Sequence, residues 1–266
     1  MAEETRGDAG VPGEERSRPK IAVVDLWKRF AEHEVLRGIN LEVRTGESFV
    51  IVGGSGAGKS VLLKHIIGLI APDRGHVIID GEDLTNCAAA RCLEIRRKFG
   101  MSFQEGALFD SMSIFENIAF PLRRHTKSSE AEIAARVREC LALVHLEGVE
   151  GDATNELSGG MRRRVGFARA IALQPEILLF DEPNTGLDPI TSAMIDRVIV
   201  EMREQLDVTM VTITHDMKSA FRIADRIAML RDGEIIADAV PEVFRSLPDP
   251  YVQKFLAGEP LEEEVA

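Results

Sequence analysis

No stretch of this sequence approaches the roughly 18 consecutive apolar residues that cross a bilayer, and its first residues hold no apolar run of the kind that opens a secretion signal. Both absences point to a soluble, cytoplasmic chain. Cysteine is scarce. Cys87, Cys92 and Cys140 are too few and too irregularly spaced for a disulfide framework. They show no CxxC spacing and no neighbouring histidine cluster, so the expectation is three free thiols in a reducing compartment and no cysteine-held metal. Net positive charge is also missing: 32 Lys and Arg against 44 Asp and Glu leave a formal charge of −12. So acidic a chain lacks the electrostatic footprint of a general nucleic-acid binder. Any phosphate it holds must be held by local geometry, and no nucleic-acid partner is expected. Aromatics make up only 5%, which suits an α/β protein of Val, Ile and Leu better than a β-sandwich.

What is present is enough apolar residue, 45% of 266, to bury one large domain or two intimate subdomains. Residues 1–19 are Glu, Arg, Gly and Pro with little to bury, and are expected to be disordered. From Ile21 the pattern becomes strand-like, through IAVVDLWKRF and INLEVRTGESFVIVGG. The wholly apolar Phe49–Val52 reads as a central parallel strand covered on both faces. VLLKHIIGLI follows with helical spacing, then HVIIDGEDL as strand and turn. Residues 88–157 show few strand signals, and SSEAEIAARVRECLALVHL is an amphipathic helix with Ser128 or Ser129 as its N-cap. From Ser158 helices and strands alternate through EILLFDE, VTMVTIT and RIAML, which is a βαβ series and hence a parallel sheet. A helix-prone polar tail after Pro241, ending in PLEEEVA, is expected to fray or to meet a partner. No internal repeat is visible.

Two motifs carry the chemistry. Gly53-Gly54-Ser55-Gly56-Ala57-Gly58-Lys59-Ser60 is a complete G-x-x-x-x-G-K-S loop between a strand and a helix. Its glycines let successive backbone N–H groups wrap a polyphosphate, and the helix N-terminus adds positive partial charge. Lys59 is placed to reach the β- and γ-phosphates of ATP and Ser60 to ligate Mg²⁺. The second motif, Ile177 to Glu182, is an apolar strand ending in two carboxylates. Asp181 suits Mg²⁺, and Glu182 suits activation of the attacking water as general base. Alone, such a strand end would be read as a solvated turn. Beside an intact phosphate loop it indicates a P-loop NTPase.

Leu157-Ser158-Gly159-Gly160-Met161, about 20 residues before the Asp-Glu strand, resembles the signature of the ATP-binding-cassette family. The resemblance extends over about residues 21–240. It implies an α/β fold: a P-loop NTPase (RecA-like) core with a parallel sheet, an N-terminal antiparallel β subdomain and an inserted α-helical subdomain. The cassette is expected at 20–245, its helical insert at about 91–158, and a C-terminal tail at 246–266. By the same resemblance Ser158, Gly159 and Gly160 contact the γ-phosphate of ATP held by a second copy. Gln104 matches the Q-loop glutamine, near Mg²⁺ or water. Gly186-Leu187-Asp188 matches the D-loop, and His215 the switch histidine on the γ-phosphate. Phe30 matches the position that stacks on adenine, with Trp27 as a rival. Val61 stands where many members carry a second hydroxyl near the α-phosphate, and Met161 replaces the usual polar residue.

QxGALF over residues 104–109, followed by ENIAFPLRRHT, looks like the ATPases of Mla/Mce-type lipid transporters, as do GGSGAGKSVLLKHIIGL and DEPNTGLDPIT. That likeness implies an MlaE-type permease, an Mce-domain lipid-binding protein, in some systems a STAS-domain subunit, and a place on the cytoplasmic face of the inner membrane. The run Ala107 to Phe109 is then a candidate permease contact, or else simple packing. Other readings are an importer or exporter ATPase for a different substrate, or a non-transport cassette acting on DNA or ribosomes. The latter usually carries two cassettes or a long coiled-coil insertion, and this chain has neither.

Overall fold

The computed structural model describes residues 19–104 and 106–260. The expected disordered segment 1–19 lies outside it apart from Pro19, as does PLEEEVA apart from Pro260.

The central element is β3 (Ser48–Val52), in which every residue is buried. It pairs in parallel with β8 (Thr209–Thr214) on one side and β9 (Arg226–Arg231) on the other, with Val50 opposite Thr212 and Ile227. Beyond β8 lie β7 (Ile177–Asp181) and β6 (Phe99–Ser102), also parallel. The hairpin strand β10 (Glu234–Ala239) closes the other edge antiparallel, for the order β10-β9-β3-β8-β7-β6. A second sheet, wholly antiparallel, is built from β1 (Pro19–Phe30), β2 (His33–Arg44), β4 (Arg74–Ile79) and β5 (Glu82–Asp83), in the order β2-β1-β4-β5.

Strand periodicity divides the core in two, because successive side chains point to opposite faces. Phe49, Ile51, Ile177, Leu179, Val211 and Ile213 pack with the antiparallel sheet and helix α1 (Lys59–Ile66). Val50, Val52, Leu178, Phe180 and Met210 face the helical side. Each fully buried side chain of this size contributes about 1.5–3 kcal/mol relative to exposure. The helical side comprises α3 (Ile114–His125), α4 (Glu130–Leu143), α5 (Gly159–Ile171), α6 (Pro189–Leu206) and α7 (Met217–Ile223). Phe167 of α5 meets Phe180 edge-on at 5.0 Å between ring centroids, which fixes α5 against the sheet. Both α3 and α4 open with capping boxes, Ser113 with Glu116 and Ser129 with Glu132, so Ser129 rather than Ser128 starts the helix.

Three expectations are corrected. The stretch 88–157 contains a strand of the main sheet, Phe99–Ser102, as well as α2 (Ala89–Arg96). Its sequence, FGMS, is too short and too glycine-weakened to announce itself, and pairing with β7 overrides that weakness. Cys87 and Cys92 form a disulfide with Cα atoms 5.6 Å apart, because the loop before α2 brings Cys87 back against the first turn of the helix. Of the three cysteines only Cys140 is free, and it is buried, with its thiol pushed up to about 11 by desolvation. Finally, the chain after Pro241 packs on the domain: α8 (Pro241–Arg245) buries Phe244 and α9 (Pro250–Ala257) buries Val252, both in the helical-side core.

Candidate functional site

The carboxyl ends of β3, β7, β8 and β6 lie side by side in the sheet, and each delivers one predicted residue or loop: Gly53–Ser60 after β3, Asp181 and Glu182 at the end of β7, His215 after β8 and Gln104 after β6. That is where ligands collect in open α/β sheets. A cleft of about 680 Å³ opens there, lined by the loop 54–61 together with Gln104, Glu182, Thr185 and His215.

The phosphate loop closes on itself through Gly58, whose φ of +104° is open to glycine and strained for any other residue. Lys59, nearly buried, folds across the cradle and donates to the carbonyls of Gly53 at 2.8 Å and Gly54 at 2.9 Å. Its ammonium lies 3.5 Å from Glu182 Oε1. Burial holds its pKa below the usual lysine value, although Glu182 and Asp181 pull the other way.

The Ser60 hydroxyl donates to Asp181 Oδ1 at 3.3 Å. Burial raises the Asp181 pKa, and the Ser60 hydrogen bond opposes it in part. A hydroxyl and a half-buried carboxylate converging beside a phosphate loop are hard oxygen donors, and fit Mg²⁺ as co-ligands with phosphate oxygens.

Glu182 sits in the left-handed region, φ +49°, which turns its carboxylate into the cleft. Oε2 accepts from Thr185 Oγ1 at 2.9 Å and lies 2.8 Å from His215 Nδ1. Burial pushes its pKa up, but the hydrogen bond and charge of His215, with Lys59 and Thr185, outweigh that and leave it below the ordinary carboxylate value. The same hydrogen bond raises His215 against the effects of burial and of Lys59.

Other predicted residues lie elsewhere. Ser158, Gly159 and Gly160 are not among those lining this cleft. Ser158 is exposed and caps α5, accepting from Met161 N at 3.3 Å. Asp188 caps α6 through Ile190 N and Thr191 N. Phe30 is 47% exposed under the Lys28 ammonium and does not line the cleft, while Val35 does. Trp27 donates its indole N–H to Asp25 at 2.7 Å and is likewise not part of the cleft wall. Val61 both lines the cleft and packs on the antiparallel-side core.

Besides Val35, three participants were not foreseen. Thr185 had its signal in NTGLDP. The C-terminal α9 brings Phe255, and the residues after it Gly258 and Glu259, to the cleft rim, a placement that depends on tertiary packing with no local motif. Arg163, in the run Arg162–Arg164, points inward to the turn after Glu182, and neighbouring arginines mask which one is buried.

Comparison with known proteins follows this geometry closely. The family model described as "ABC transporter" matches residues 36–185. The "Probable ribonucleotide transport ATP-binding protein mkl" of Mycobacterium tuberculosis (strain H37Rv) is 44% identical over 238 residues, 90% of this chain. That match spans 66% of the relative, just under two thirds of its length. The "Intermembrane phospholipid transport system ATP-binding protein MlaF" of Escherichia coli (strain K12) is 41% identical over 224 residues, 84% of this chain and 83% of its own. Among solved structures, the dimeric structure of MJ0796, described as a bacterial ABC transporter cassette, superposes with a TM-score of 0.77 at 33% identity, covering 83% of this chain and 98% of that one. The same cassette in a dimeric post-hydrolysis state bound to ADP and Pi gives 0.76.

Proposed function

This chain belongs to the ABC transporter family, and from that premise we propose that it is the ATP-hydrolysing subunit of a lipid transporter, working as a pair of copies on the cytoplasmic face of the membrane. The observation that carries the paired reading is the split of the predicted site. The phosphate loop, Glu182 and His215 meet in one cleft, while Ser158 and Gly159 stand exposed at the start of α5, away from it. A helix N-terminus directs backbone N–H groups and positive partial charge outward, which favours an anion. A second copy supplies that anion as the γ-phosphate of its own bound ATP.

In this mechanism the backbone amides of 54–60 and the Lys59 ammonium hold the β- and γ-phosphates. Ser60, Asp181 and Gln104 would hold Mg²⁺, which would supply charge neutralisation for the phosphates when bound. Glu182, ionised and steered by Thr185 and His215, accepts the proton of the attacking water. His215, its other ring nitrogen turned to the cleft, contacts the γ-phosphate, and Gln104, just past the edge strand, senses Mg²⁺ or water and links the site to the permease. The second copy's Ser158 and glycines close the site, so turnover requires two chains.

The lipid assignment rests on the segment 104–126 and on the likeness to MlaF. Phe109 is held by Asn117, which accepts from its N–H at 2.8 Å and donates to its carbonyl at 3.1 Å. Its ring, 43% exposed, packs at 5.2 Å on that of Phe120, 44% exposed. Leu108 turns inward onto the core. The run 107–109 therefore serves both roles weighed for it, packing through Leu108 and an apolar docking face through Phe109. By the likeness to MlaF, an MlaE-type permease receives this face. An Mce-domain protein and a STAS-domain subunit complete the assembly. The names of the mycobacterial relatives favour a second reading, nucleotide-type cargo on the same engine.

The test is ATPase activity of wild type and Glu182→Gln, each alone and with the MlaE-type permease in lipid nanodiscs, followed by phospholipid and ribonucleotide flux. Stimulation by the permease, with a Glu182→Gln chain that binds ATP and stalls as a dimer, supports the reading. Ribonucleotide flux without lipid flux replaces the cargo, and a fully active Glu182→Gln removes the general-base assignment.

A further inference from the structure

Arg163 lies five residues beyond Ser158 on the same helix, roughly 7.5 Å along its axis, and only 7% of it is exposed. Its guanidinium donates to three backbone carbonyls of one turn: Nη1 to Pro183 at 2.7 Å and to Glu182 at 3.3 Å, and Nη2 to Thr185. These carbonyls belong to the turn that holds Glu182 in its left-handed conformation, and Thr185 is the residue whose hydroxyl orients the Glu182 carboxylate. The same helix touches the next stretch of chain at two further points. A Cβ on Gly159 would come within 3.3 Å of Leu187, and one on Gly160 within 2.6 Å of Thr191. The far side of the turn is tied down separately. Asn184 donates to Asp196 at 2.7 Å and to Ser219 at 2.8 Å, and Asp196 also accepts from Arg222. The turn is therefore held between α5 on one side and Asp196 and Ser219 on the other.

We infer that Arg163 is a positioning residue that sets the Glu182 carboxylate from the signature helix, and so couples the phosphate bound at Ser158 to hydrolysis at the other composite site. The inference rests on the paired reading under Proposed function. In that pair, Ser158 serves the partner copy's ATP while Glu182 serves the chain's own. An anion arriving at the α5 N-terminus shifts a rigid helix, and the planar guanidinium fork carries that shift to three carbonyls at once. Lysine cannot replace it: an ammonium is a point charge without the fork's fixed geometry. Displacements of about 1 Å in a reacting group cost on the order of a hundredfold in rate, so a small movement here gates turnover.

The test compares the full-length wild type with Arg163→Lys, with the permease in nanodiscs, reading kcat, KM for ATP, the Hill coefficient and amide hydrogen exchange over 183–188. The expected result for Arg163→Lys is a fall in kcat of roughly tenfold or more, with KM within about twofold. The Hill coefficient drops to about one, and faster exchange is confined to the turn. Unchanged kcat and cooperativity in Arg163→Lys overturn the inference while leaving the proposed function standing. So does faster exchange throughout the chain with loss of ATP binding, which makes Arg163 a core residue only. Arg163→Gln, smaller and uncharged, is measured beside it, and a cooperative Arg163→Gln also overturns the coupling. A wild type that binds ATP but never turns it over fails the functional reading itself.

Discussion

His215 Nδ1 and Glu182 Oε2 are 2.8 Å apart at the ends of two adjacent parallel strands, and each holds the other in its charged form. The histidine is about half exposed and the carboxylate is not, so the pair stands where the cleft meets solvent. Its geometry follows from register: Asp181 pairs with Ile213 across β7 and β8, which puts Glu182 and His215 just past the strand ends.

The pair sets a pH dependence with a definite sign. His215 has a folded pKa above its ordinary 6.5, so its contribution to stability is full below the unfolded value and is lost as pH rises through the folded one. Glu182 runs the other way, its contribution lost as pH falls through its lowered folded value. Glu182→Gln should bring the His215 pKa below that of the wild type, because burial and Lys59 are then opposed by Asp216 alone. Titration of the imidazole by NMR reads this directly. An unchanged His215 value in Glu182→Gln contradicts the ion pair.

Phe180 is fully buried and meets Phe167 edge-on. Phe180→Ala should cost about 3–5 kcal/mol, measured by denaturant unfolding with the slope unchanged. A loss under about 1 kcal/mol would mean that α5 does not depend on this contact.

Phe109→Asp puts a charge on the apolar face beside Phe120 without touching the cleft. The isolated chain should keep its ATP affinity, while permease stimulation falls by roughly tenfold or more. Co-purification with the permease and ATPase stimulation measure it. Full stimulation would place the docking face elsewhere.

The phosphate loop, the Asp-Glu strand and the order of strands and helices after Ser158 were legible because each is local: a motif of fixed length, or a periodicity within one element. Lys59 and Glu182 were joined by their two motifs, but His215 was legible only through the likeness to a family, since no spacing in the chain ties residue 215 to them. Phe99–Ser102 escaped notice because its strand character comes from its neighbour. The disulfide escaped because closing it depends on the path of the loop before Ala89. The family position of Phe30 suggested stacking on adenine, and β1 leaves its ring 47% exposed and outside the cleft wall. Arg163 was hidden among three consecutive arginines that only the turn of the helix can sort.

The central claim is that each ATP site is assembled from two copies, and mixing two crippled chains tests it most directly. Lys59→Ala removes the phosphate-loop ammonium, and Ser158→Arg blocks the signature N-terminus at a capping cost of about 1 kcal/mol. Each variant alone should be inactive. In a mixed pair, the Ser158→Arg chain offers an intact phosphate loop to the intact signature of the Lys59→Ala chain, so one of two sites is whole. The account predicts that the mixture recovers a fraction of the wild-type ATPase activity, lowered because the signature N-terminus of the Ser158→Arg chain stays empty, rising with the fraction of mixed pairs and absent from either variant at the same total concentration. A mixture as inactive as its components, with mixed pairs demonstrably formed, would contradict it.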